Sequence, residues 1–108
     1  MPVDNPNVVD IVATRDDLDE VLLVITDHLE WHEVDEHLLT LQEKINGYLA
    51  FIESGELLRK YPNAAGKKVR IDVALKHPLP PDGEQFFERA RGIVERAGFR
   101  LSWRVPAA

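Results

Sequence analysis

The stretch VLLVITDHLEWHEVDEHLLTLQEKI, residues 21–45, changes its hydrophobic period part-way along. Val21, Leu23 and Ile25 recur every second residue, the spacing at which strand side chains fall on one face. From Val34 the spacing becomes three and four: Val34, Leu38, Leu41, Ile45 and, further on, Leu49 and Ile52. That stripe belongs to an amphipathic helix. A strand running into a long one-sided helix decides the fold class, because the helix has to bury its apolar side against a sheet.

Upstream, residues 8–20 read as a first strand with Val9, Ile11 and Ala13 on one side, Asp10 and Thr14 on a wetter one, and an Asp-rich turn before the second strand. The two make a β-hairpin. Because Leu22 and Val24 are also apolar, the second strand reads as central or covered on both faces. Downstream, the helix is expected to end near Ser54-Gly55, where glycine takes a left-handed cap, and ELLRKYP adds a turn that Pro62 stops. KVRIDVALKH then alternates Val69, Ile71, Val73 and Leu75 against Arg70, Asp72, Ala74 and Lys76. PLPPDG breaks that strand, and Asp82 with Gln85 three residues later has the pattern of a capping box for a second helix. Phe86, Phe87, Ala90, Ile93, Val94 and Ala97 supply its stripe, Gly98 its C-cap, and FRLSWRV a last strand with Phe99, Leu101, Trp103 and Val105 on one side.

The order ββαβαβ predicts an α+β domain, a four-stranded sheet with both helices on one face. At 108 residues the chain makes one domain over 1–108, with frayed ends at about 1–7 and 106–108. The uncovered sheet face is expected to present Arg70, Lys76, Arg100 and Arg104 with Asp10 and Asp72, plus Leu22 and Val24. Leu38, Leu41, Ile45, Leu49, Ile52, Phe86, Ala90, Ile93, Ile71, Val73 and Leu101 are the expected core.

Charge is divided along the chain: 14 acids against 4 bases in residues 1–66, and 5 against 9 in residues 67–108, for a total of −6. The overall acidity speaks against nucleic-acid and membrane-surface binding, while the division suits self-association or a charged protein partner. Trp103 shares its parity with Phe99 and Leu101, so it belongs to the core and not beside Arg100 and Arg104 as a base-stacking platform. With no cysteine, thiol chemistry and thiolate metal sites are ruled out, and a reducing, cytoplasmic setting is the expectation. No apolar run approaches the ~18 residues that span a bilayer.

One segment concentrates functional side chains. Residues 27–37, DHLEWHEVDEH, hold three of the four histidines, five carboxylates and one of the two tryptophans. On a helix His28 and His32, His32 and Glu36, and Glu33 and His37 would each share a face and could chelate a divalent metal. The third pair, however, would lie about 120° around from the first two. The start of helix 1 stays open between Asp35 as N-cap and an Asp27–Glu30 capping box. The acids also complement a helix dipole, so a polar helix entrance accounts for them as well as a site does. The glycines are scattered singly, Ser54 and Ser102 sit in no nucleophile-elbow context, and no catalytic residue, metal or cofactor is assigned. The binding candidates are Asp27, His28, Trp31 and His37 at this segment, and Arg70, Arg100 and Arg104 on the open sheet face.

The runs ITDHLEW, EHLLTLQEKINGYLAFIESGEL and YPNAAGKKVRIDVALKHPLPPDGEQFFERA resemble a family of small bacterial proteins carrying a domain of unknown function. The likeness rests on His37–Gly55, with Gln42, Lys44, Asn46, Tyr48, Phe51, Glu53 and Gly55. It implies a single domain and a bacterial source, and it brings no activity. The expected function is a non-enzymatic interaction or accessory module that forms a homodimer. The alternative is a small-molecule or metal-dependent site centred on Asp27 to His37.

Overall fold

The computed structural model describes residues 11–106 apart from 16 and 18. Strands β1 (Ile11–Arg15) and β2 (Glu20–Asp27) are followed by helix α1 (Val34–Glu53), the short helix α2 (Glu56–Lys60) and a 3-10 turn at Pro62–Ala64. Strand β3 (Lys68–Leu75), helix α3 (Pro81–Arg96) and strand β4 (Arg100–Arg104) complete the chain. The sheet order is β1-β2-β3-β4, with β1 antiparallel to β2 and the other two pairs parallel. Both parallel connections step the same way across the sheet. Since such crossovers are right-handed, both helices land on the same face. This is the expected α+β architecture.

Register explains the core. Val21 pairs with Val69, Leu23 with Ile71 and Ile71 with Leu101, so one parity of β2, β3 and β4 forms a continuous apolar surface under the helices. Leu41, Ile45, Tyr48 and Leu49 of α1 and Phe87, Ala90 and Val94 of α3 pack onto it. The Tyr48 hydroxyl is not wasted in this dry layer, because it donates to the Val24 carbonyl at 2.9 Å. Trp103 is half-buried on the helix side, stacked on Phe87 with centroids 5.0 Å apart.

Four expectations are corrected. In β1, Ala13 lies opposite Leu22 and Thr14 opposite Val21, so Ala13 belongs to the open face and Thr14 to the helix side, the reverse of the expected alternation. A one-residue shift in pairing flips every side chain, and a short strand with Ile, Val and Ala in succession does not specify it. Val9 and Asp10 lie outside the described residues. Helix α1 starts at Val34 after Glu33, with no side-chain cap, so neither Asp35 nor Asp27 caps it. Asp27 is the last residue of β2, and Asp35 sits inside the first turn. Helix α3 starts at Pro81, because proline's fixed φ and missing N–H suit the first helical position. Asp82 is therefore already helical and does not cap, although it and Glu84 still complement the dipole. Finally, Ile93 is 55% exposed and Leu38 only half-buried, while Ile52 and Phe86, also half-buried, pack against the edge of the core as expected. The sheet covers the α3 stripe from the Phe87–Val94 side, which leaves its other margin in solvent.

Gly55 has φ +86 and separates α1 from α2. The left-handed conformation there is what breaks one long stripe into two helices, as expected for a glycine in that place.

Candidate functional site

The parity that makes Val21, Leu23 and Ile25 face the helices continues to Asp27, so its carboxylate points under α1 rather than into solvent. His37, in the first turn of α1, occupies the same side of the helix as Leu41, Lys44 and Tyr48. The two meet: His37 Nε2 lies 2.5 Å from Asp27 Oδ2, with the residues only 3% and 2% exposed. His37 Nδ1 faces the Glu30 carbonyl at 3.2 Å, and Asp27 Oδ1 accepts from the Leu29 N–H at 3.0 Å. Trp31 stacks on the imidazole at 3.6 Å between centroids and 19° between planes. The connection 28–33 is thus wrapped around one buried acid–imidazole pair.

Both imidazole nitrogens face oxygen acceptors. One is a backbone carbonyl and the other a carboxylate, so both ring nitrogens are engaged by groups of the same chain. With both nitrogens engaged, one ring face under Trp31 and the residue 3% exposed, His37 is committed to contacts within its own chain. The arrangement works as a latch. It pins the end of β2 to the start of α1 and closes the six-residue connection over the core.

The other histidines do not join it. His28 and His32 are exposed, and His32 hydrogen-bonds to Glu30. They border an open cleft of about 450 Å³, lined as well by Glu33, Glu36, Thr40 and an edge of His37. The helical chelating spacing fails because residues 28–33 are not helical. Among the described residues no group of three or more His, Asp or Glu side chains is placed to hold a metal ion. Trp31 Nε1 is buried and meets no acceptor among the described residues.

The three arginines occupy the opposite side of the sheet. Arg70 Nε donates to Glu20 at 3.1 Å, and Asp72 accepts from Ser102 Oγ and Arg104 Nε, both at 2.8 Å. Arg100 is exposed beside Arg70, its partner in the β3–β4 register. The sequence candidates therefore divide into two unconnected groups: Asp27, Trp31 and His37 in the latch with His28 at its edge, and Arg70, Arg100 and Arg104 on the open face. Sequence reasoning missed the latch, and it also missed Glu20, which is buried next to Arg70. A signal for the latch was present, since Asp27 and His37, like the buried Lys44, are polar residues at core-facing positions of their elements.

A family model described as a family of unknown function (DUF6572) matches residues 1–107. The chain belongs to that family. The DUF6572 match runs over the whole described fold, as the resemblance of the His37–Gly55 block implies for a single domain, and no activity comes with it. A search of curated proteins and a search of solved structures each found no match. Among the described residues no helix is long and apolar enough to cross a membrane.

Proposed function

We propose that this DUF6572 protein is a non-enzymatic interaction module that forms a two-fold homodimer through the open face of its sheet. The observation that carries the reading is the place of Leu22 and Val24. They lie in the central strand β2, half-buried, on the face that no helix covers among the described residues. Ala13 and Ala74 extend this apolar strip, and the ion pairs Arg70–Glu20 and Asp72–Arg104 flank it.

These ion pairs alter the expected form of the contact. Arg70 and Asp72 already have partners within the chain, so they need no neutralising across the dimer axis, and the apolar strip becomes the main source of affinity. Closed isologous contacts are the commonest way to bury one kind of exposed face, and both signs of charge beside the strip make the face complementary to itself. A stable contact of this type covers roughly 800 Å² per partner. The cysteine-free composition supports a cytoplasmic setting, and the resemblance supports a bacterial one.

Light scattering at high micromolar concentration is expected to report twice the 12.3 kDa chain mass. Leu22→Asp is expected to return it to monomer while leaving the circular dichroism spectrum unchanged. A monomer mass for the unaltered protein refutes the proposal. The alternative, a small-molecule or metal-dependent site at Asp27–His37, has less support because the latch occupies both nitrogens of His37.

A further inference from the structure

We infer that the groove between α1 and α3 binds a small amphipathic monocarboxylate, its carboxylate on Arg89 and its apolar tail over Leu49, Phe86, Ala90 and Ile93. The groove lies in the helical layer, on the other side of the sheet from the proposed dimer face, so the two readings stand or fall separately. It holds about 250 Å³. Its floor is apolar, with Ala90 small enough to leave space where a larger side chain would close the helices together. Ile93 stands in it 55% exposed although it belongs to the apolar stripe of α3, so apolar surface is left wet at this point.

The polar groups of the groove point to the ligand's charge. Gln42 and Asn46 of α1 supply neutral amides, and Arg89 of α3 is the single charged lining group. Among the described residues Arg89 has no ion pair, in a chain whose acids outnumber its bases 19 to 13, and no Asp or Glu lines the groove. A guanidinium offers a planar pair of donors suited to a carboxylate. Size sets the rest: pockets for drug-sized ligands measure roughly 300–1,000 Å³, so this smaller groove suits one short acyl or aryl chain and not a nucleotide or a helix face.

The test uses methyl NMR on the full chain with three probes of equal tail length: octanoate, octanol and octyltrimethylammonium. Saturable shifts of the Ile45, Leu49 and Ile93 methyls are expected, with octanoate binding tightest and the cation weakest. Arg89→Glu, at an exposed position, is expected to weaken octanoate by about fivefold, the scale of one exposed charge contact, and to reverse the order of the two charged probes. Arg89→Lys should keep the original order. The inference is overturned if octanoate gives no saturable shift up to about 10 mM, where even a millimolar Kd would show. An unchanged probe order in Arg89→Glu overturns it as well. So does an oligomer mass that falls on Ile93→Asp with no octanoate binding, which would assign the groove to a second copy.

Discussion

Truncating His37 to alanine tests the latch. The substitution takes away the ring that meets Oδ2 of an Asp27 carboxylate only 2% exposed in the intact protein. Removing one member of a buried, hydrogen-bonded charge pair costs about 3–5 kcal/mol, most of it from stranding the other. Loss of the stacked Trp31 face adds about 0.5–1.5 kcal/mol. Against a total stability of about 5–15 kcal/mol for a domain of this size, the variant is expected to be only marginally folded. Urea denaturation followed by circular dichroism measures the loss directly as a lower midpoint at unchanged slope. A double-mutant cycle with Asp27→Ala separates the pair from its surroundings. Once the carboxylate is gone, deleting the imidazole should cost much less, giving a coupling of about 2 kcal/mol or more. A loss under about 1 kcal/mol for His37→Ala, together with additivity within about 0.5 kcal/mol, would show that the buried pair does not hold the connection. His28→Ala and His32→Ala serve as controls. Both residues are exposed, and each should change stability by no more than about 0.5 kcal/mol.

The remaining predictions concern packing and metal. Leu41→Ala, at a position with no exposure, should destabilise by about 2–5 kcal/mol, whereas Ile93→Ala on the other helix should cost well under about 1 kcal/mol; equal losses in urea melts would mean that the α3 face is turned differently. Gly55→Ala, at φ +86 with no neighbouring atom to clash, should cost about 1–2 kcal/mol from backbone strain alone, and a neutral result by thermal melting would place that junction in another conformation. Zinc titration by calorimetry should show no stoichiometric complex tighter than about 1 μM, since His37 is engaged and His28 and His32 stand apart from it; a one-to-one complex abolished by His28→Ala and His37→Ala would refute this.

The elements and the layer they make are legible in the order of the residues alone. A period of two in residues 21–25 and 69–75, and of 3.6 from Val34 and from Phe86, are local properties of backbone geometry, so they can be read without a partner in view. Two helices with single stripes and four short strands then leave little choice but one sheet with one covered face. Gly55 and Gly98 were legible for the same reason, as each adopts the positive φ that its position after a helical stripe implies. Whatever depends on where two elements meet is set by their packing in three dimensions. Which parity of β1 faces the helices follows from its pairing with β2, and which margin of the α3 stripe stays wet follows from how far the sheet reaches beneath it. Above all, the polar run at residues 27–37 could be read as a metal cluster, a helix entrance or a binding edge. Side chains ten residues apart acquire a relation only when strand end and helix start are placed over the same core, and there Asp27 and His37 close on each other while His28 and His32 remain in solvent.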